Sequence, residues 1–213
     1  MTTSAPPASL NPIAQLRAGR LPRRLTQLYV GLTLYGISMG LMIESRLGLD
    51  PWDVLHYGIT QHVSLSFGTV VILLGFLVLL AWIPLRQWPG LGTISNAVVI
   101  GLVTDLALAV LDRPDALWLR IAFLSVGIVG NGFATAMYIG AHFGPGPRDG
   151  LMTGLVRRTG VSVRVVRTSI EVTVLAIGWL LGGLVGFGTV AYALAIGPLV
   201  HLLLPWFEVR ISD

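Results

Sequence analysis

Cysteine and lysine are both missing from this 213-residue sequence, and charged residues of all kinds make up only 11% of it. Without cysteine there is no disulfide, thiolate metal site or cysteine nucleophile, and the redox compartment is left unmarked. An ordinary soluble domain carries roughly a quarter charged residues, so too few remain here to solvate a globule. Signatures of soluble enzymes are missing too: there is no G-x-x-x-x-G-K-[ST], H-E-x-x-H or G-x-S-x-G. The glycines of GPGPRDG, from Gly144, do not follow a strand as a dinucleotide loop requires. His56 and His62 are six residues apart, too far round a helix to share a metal. The chain is therefore not expected to be an enzyme, and no catalytic residue, metal or cofactor is expected.

Apolar residues are what the chain has in excess. They reach 54% of the sequence, in runs approaching the roughly 20 residues that a helix needs to cross the hydrocarbon core. Runs bounded by charges, proline or glycine clusters predict six spans, at 25–44, 68–85, 93–111, 121–140, 168–186 and 187–206. Residues 1–24 are rich in Pro, Ala, Ser and Arg and lack the apolar stretch and cleavage site of a signal peptide, so they read as a disordered, basic cytoplasmic tail. With the N-terminus in the cytoplasm, about 11 arginines fall inside, Arg210 among them, and only Arg46, Arg113 and Arg120 outside. That clustering between apolar runs is the layout of cytoplasmic loops, and nucleic-acid binding is not expected. Both termini are expected in the cytoplasm. The six tryptophans lie mostly near span ends, as an aromatic belt would. Gly36 and Gly40, and again Gly178, Gly182 and Gly186, make GxxxG spacings suited to close helix approach.

Self-comparison at an offset of 96 residues aligns the two halves without a gap. GLDPWDVLHYG from Gly48 matches GPGPRDGLMTG from Gly144, sharing GxxPxDxLxxG, and GLGTISNAVVIGLVTDL from Gly90 matches GFGTVAYALAIGPLVHL from Gly186. About 22 of the 82 positions from Leu25 to Leu106 are identical to their partners, several times the chance level for this composition. Three spans per repeat is an odd number, so the second copy must run through the membrane the other way. The expected fold is an all-α membrane protein of two inverted three-helix repeats, at 25–112 and 113–208, each with an extra short or re-entrant helix after its first span.

The shared motif spells a helix start. Asp50 at N-cap, Pro51 at N1 and Asp53 at N3 suit the positive end of a helix, and Gly146, Pro147 and Asp149 repeat the pattern beside Arg148. Two readings stay open. Either these are capped amphipathic helices at the interface, or they are re-entrant half-helices whose starts approach each other near the midplane, with Asp53 and Asp149 as intramembrane carboxylates able to take a proton or cation. Other ionisable residues inside proposed spans are Glu44, Asp105, Glu171 and His201. Asp105 and His201 are equivalent in the repeat, so they could meet on a two-fold axis or remain separate polar residues near span ends. Asn96 and Asn131 read as interhelical hydrogen-bond glue rather than ligands.

The phrases GLDPWDVLHYGIT, SFGTVVILLGFLVLLAWIPLRQWPGLGT and NAVVIGLVTDL resemble the YczE, YyaS and YitT-like group of bacterial integral membrane proteins. The likeness runs from Leu25 to about Trp206, with PWDVLH its most specific part. It implies a small multi-pass protein of the bacterial inner membrane, and bears on class and fold more than on mechanism. The second copy departs from the first, with Arg148 in place of Trp52 and Thr153 in place of Tyr57.

The leading expectation for function is a secondary transporter or exporter of a small solute, argued from the inverted repeat and the paired motif. The rival is a non-transporting membrane scaffold or assembly partner. A cavity lined by both motifs favours transport, and a solid greasy centre favours the scaffold. The partners expected are the lipid bilayer and a small solute, with a homodimer left open.

Overall fold

The computed structural model describes residues 12–17 and 19–209, and among them every regular element is a helix. The helices are α1 (Pro12–Arg17), α2 (Leu21–Ser45), α3 (Pro51–Thr60), α4 (Phe67–Trp82), α5 (Leu91–Val110), α6 (Leu117–Gly140), α7 (Pro147–Thr159), α8 (Val163–Leu180) and α9 (Phe187–Phe207). Four of them, α2, α5, α6 and α9, are long and apolar enough to cross a membrane. Helix α4 is equally apolar but has 16 residues, about 24 Å at 1.5 Å per residue. Helix α8 has 18, with Arg164, Arg167 and Glu171 in its first half. Large apolar side chains such as Leu77, Leu102, Leu180 and Leu194 face outward, as lipid requires. The molecule is a multi-pass helical membrane protein.

Helices α2 and α6 form the central pair, α2 also packs on α5, and α6 on α9. Gly36 and Gly40 serve the α2–α5 approach as their spacing predicts: a Cβ on either would lie 2.8 Å from Val103 or Ala107. The short helices cross between the halves, α3 packing on α8 and α7 on α4. Their contacts exchange volume between equivalent sites. Val54 of α3 meets Gly178 of α8, whereas Gly150 of α7 meets the Trp82 ring of α4.

Hydrogen bonds recur at the 96-residue offset. Arg24 donates to the carbonyls of Ala141 and His142, both at 2.9 Å, and Arg120 donates to those of Ser45 and Arg46 at 2.7 and 3.0 Å. The amides of Gly90 and Gly186 each donate to a threonine hydroxyl three residues on, at 3.2 Å. Those of Gly92 and Gly188 donate to the carbonyls of Phe143 and Leu47. Ser66 and Ser162 both cap, accepting from the amides of Thr69 and Val165.

Several expectations need correction. The segment before residue 25 is no featureless tail where it is described. Residues 12–17 are helical and Arg24 is fully buried, because its guanidinium satisfies carbonyls that the end of α6 leaves without a helical partner. Residues 1–11 and Arg210 lie outside the described residues. The fifth helix begins and ends about five residues earlier than its apolar run suggests, since Ser162 caps its start and Gly182, at φ 83°, follows its end. Gly182 and Gly186 therefore sit in a turn, and Gly178 alone of that GxxxG series packs within a helix, against Val54 and Leu55. Trp82 belongs to no belt: it is 2% exposed and donates to the Pro147 carbonyl at 3.0 Å. Trp88, Trp118, Trp179 and Trp206 are exposed.

Candidate functional site

Each half leads into its short helix through the same backbone. Arg46 and His142, just past α2 and α6, adopt left-handed φ of 53° and 56°, and Gly48 and Gly144 follow at 121° and 100°. A side chain at Gly48 would also collide with the Gly186 and Thr189 amides, 2.8 Å from its Cβ. The chain then enters a helix whose first turn holds proline. The Asp50 carboxylate accepts from the amides of Trp52 and Asp53 at 2.8 and 3.1 Å, the N-cap that its position predicts. Gly146 stands in its place before α7 and offers no side-chain cap.

The starts of α3 and α7 face each other across the centre of the bundle. Arg148, in the first turn of α7, reaches back to α3: Nη2 lies 3.4 Å from Asp53 Oδ1 and Nη1 lies 3.7 Å from Asp50 Oδ1. Its guanidinium sits 5.0 Å over the Trp52 ring, the residue that occupies its own position in the other repeat. Asp53 is fully buried and does not cap, since its Oδ1 pairs with His56 Nδ1 at 3.0 Å, one helical turn on. Asp149 likewise caps nothing and accepts instead from the Tyr138 hydroxyl at 2.8 Å.

Around this meeting point lies a cavity of about 420 Å³. The first motif contributes Asp50, Trp52 and His56 to its wall, and the second Arg148, Asp149 and Met152. Tyr35 of α2, Tyr138 of α6 and Tyr192 of α9 also line it, and α8 adds Arg167 and Glu171, ion-paired at 2.9 Å. His201 of α9 lies on the same wall. Of the candidates read from sequence, the cavity thus gathers Asp50, Arg148, Asp149, Glu171 and His201, with Asp53 directly behind Asp50 and Arg148. Glu44 and Asp105 do not belong to it. Glu44, in the last turn of α2, does not line it, and Asp105 accepts from the Ser66 hydroxyl at 2.5 Å and the Gly68 amide at 2.7 Å, tying α5 to the start of α4. Asp105 and His201 do not meet on an axis, because that role fixes Asp105 at the rim of α4.

Less evident from sequence are His56, Tyr35, Tyr138, Tyr192 and Arg167. His56 was legible in part, since three residues after Asp53 places both on one helix face. Tyr35 and Asn131 are equivalent in the repeat, as are Asn96 and Tyr192, so the halves carry the same tyrosine and asparagine exchanged. Tyr192 donates to Asn131 Oδ1 at 3.0 Å, joining α9 to α6, while Asn96 lines the cavity.

A family model described as a family of unknown function, DUF6198, matches residues 22–205. The chain is 42% identical over 182 residues to an uncharacterised protein of Haemophilus influenzae, covering 85% of this chain and 84% of that one. It is 35% identical over 184 residues to the uncharacterised membrane protein YczE of Bacillus subtilis, covering 85% and 86%. It is 26% identical over 183 residues to the uncharacterised protein YyaS of the same organism, covering 84% and 91%. No solved structure matches the chain.

Proposed function

We propose, from the premise that this chain belongs to the family DUF6198, that it is a secondary transporter of a small solute in the bacterial inner membrane. Its six longer helices span the bilayer as two inverted halves, with both termini in the cytoplasm. Helices α3 and α7 are re-entrant, entering from opposite faces and ending their approach at mid-depth. One observation carries the reading: the cavity is walled by both copies of GxxPxDxLxxG, and Tyr35, halfway along the 25-residue α2, lies on the same wall. Ionisable residues at such a depth are expensive in lipid and mark solute or ion pathways. Irregular backbone at that depth is tolerated where it is buried in protein or lines a cavity, and residues 46–50 and 142–146 meet that condition. A scaffold has no need of a charged hollow at its centre, which weighs against the rival reading. The part of the wall formed by Arg167, Glu171, His201 and Leu204 belongs to the cytoplasmic halves of α8 and α9, so the cavity as it stands opens inward.

The chain's lack of cysteine makes the test clean. Single cysteines at Asp115 and Arg157 report the two faces, and Val200→Cys reports the cavity wall. In intact cells a membrane-impermeant thiol reagent should reach Asp115→Cys and miss Arg157→Cys. A carrier that alternates should also expose Val200→Cys slowly from outside, and faster from inside in inverted vesicles. Labelling of Val200→Cys from one face only, at every temperature and time, would leave a static pocket and overturn the transport reading.

A further inference from the structure

The cavity has an uneven charge inventory. Asp50, Asp53, Asp149 and Glu171 stand on or directly behind its wall, against Arg148 and Arg167. Both guanidiniums are already engaged, Arg148 between Asp50 and Asp53, and Arg167 on Glu171 at 2.9 Å. Asp53 also pairs with His56 at 3.0 Å and His201 stands on the wall, so among the described residues the carboxylate that no guanidinium or imidazole contacts is Asp149. The start of α7, where Asp149 stands, contributes roughly half a positive charge, which offsets part of that carboxylate's charge and not all. At α3 that contribution is already engaged by Asp50, whose carboxylate takes two of the free amides.

A second observation is independent of the count. Asp50 Oδ2 and Asp53 Oδ2 are buried and have no hydrogen-bond partner among the described residues, and Asp50, 3% exposed, lines the cavity. Asp149 has only the neutral Tyr138 hydroxyl. A buried carboxylate oxygen without a donor costs free energy that a bound cation recovers. The third observation is aromatic. Tyr35, Tyr138 and Tyr192 line the hollow, and Trp52, on the same wall, already holds one cation, Arg148, 5.0 Å from its ring. Rings of this kind attract cationic groups through their negative faces. An inorganic cation would be served by oxygen ligands alone and gains least from such walls. An anion would have to displace carboxylates from both arginines.

We propose that the solute taken into this cavity is a small organic cation, an amine or quaternary ammonium compound, held between the Asp50 and Asp149 carboxylates and the surrounding tyrosines. The volume, about 420 Å³, lies within the range of small-ligand sites. This assignment rests on the transport reading for its biological meaning but makes a claim about binding that stands apart from it.

The test uses purified full-length protein and three probes at equal ionic strength: tetraethylammonium chloride, sodium benzoate and sucrose. Tetraethylammonium should raise the melting temperature in a saturable way, while benzoate and sucrose should not. Asp149→Asn and Glu171→Gln, each checked to melt near the parent without probe, should weaken the tetraethylammonium response at least tenfold in apparent Kd for Asp149→Asn and less for Glu171→Gln. Benzoate stabilising the protein as strongly as tetraethylammonium, or an Asp149→Asn response equal to the parent's, would overturn the assignment. Counterflow of labelled tetraethylammonium in proteoliposomes then separates the two readings. Saturable binding without counterflow upholds the cation site and defeats transport. Two-sided labelling of Val200→Cys with no tetraethylammonium binding upholds transport and defeats the cation.

Discussion

The seam between α4 and α5 and the seam between α8 and α9 come from equivalent stretches of the two repeats, and they differ in being closed and open. In the first, Gly101 meets Gly68 so closely that a Cβ on Gly101 would lie 2.5 Å from the Gly68 carbonyl, and Gly75 meets Ala97. The second keeps the glycine of α9 and changes what faces it. Gly197 stands where Gly101 does, but nothing lies within 4 Å of its Cβ direction. Arg164 and Glu171 occupy the positions of Gly68 and Gly75. Two helices cannot close over a glycine when the facing helix presents long charged side chains instead of another glycine, so α8 and α9 diverge and the cavity reaches between them. Pro198 adds a second difference, since it leaves the Leu194 carbonyl without its helical donor, and α5 has no proline. If the protein is the carrier proposed above, its outward-open conformation should be this one with the seams exchanged, α4 parting from α5 while α8 and α9 draw together over Arg167, Glu171 and His201.

The largest effect separating the seams should come from one substitution made twice. Gly101→Leu forces a side chain between two backbones and should cost about 3 kcal/mol, the upper end of the usual range for overpacking, seen as lost folded yield and a lower melting temperature in detergent. Gly197→Leu, with open space before it, should leave melting within about 0.5 kcal/mol of the parent. It should also wedge the α8–α9 seam, so that Val200→Cys is labelled from inside as before and no longer from outside. Equal destabilisation by the two leucines would mean that the seams are alike in the membrane.

A middle-sized effect should divide Asp105 from His201. Asp105→Ala removes the acceptor for the Ser66 hydroxyl and the Gly68 amide, and should cost about 1.5 to 3 kcal/mol, the range for hydrogen bonds to a charged group. His201→Ala, exposed on the open seam, should stay within about 0.5 kcal/mol. Comparable melting temperatures for the two variants would sink the claim that only the first seam is fastened at its rim. The smallest effect is a gain: Gly197→Ala should stabilise by about 0.5 to 1 kcal/mol through helix propensity, whereas Gly101→Ala should lose stability. Thermal melts of both alanine variants carry that comparison.

Much of this arrangement was legible in the sequence. The 96-residue register placed the helix starts at Pro51 and Pro147 and made Asp50 a cap, because proline and a short acceptor at a helix start carry their own geometry. The site was half legible. Asp53, Arg148 and Asp149 announced themselves as charges in apolar surroundings, but that Arg148 stacks on its own counterpart Trp52 is a fact of packing, not of periodicity. The exchange of Val54 and Gly178 for Gly150 and Trp82 was beyond reach for the same reason: a single half shows one volume, and only the crossed packing of α3 on α8 and α7 on α4 shows why the other compensates. The open seam had a signal that hydropathy hid. Helix α8 reads as an apolar span from Thr168 onward, so Arg164 and Arg167 look like loop residues and not as the face turned toward α9.

Arg24 and Arg120 bear on how such a molecule is made. The carbonyls of Ser45 and Arg46 leave the ribosome long before Arg120, which satisfies them, and Arg24 waits still longer for Ala141 and His142. Helix α3 likewise waits for α8, and α4 for α7. Neither half supplies the side chain that satisfies the carbonyls ending its own first long helix, so α2 and α6 finish each other only once both have left the ribosome. The two arginine clasps thereby tie the completion of those helix ends to the docking of the halves.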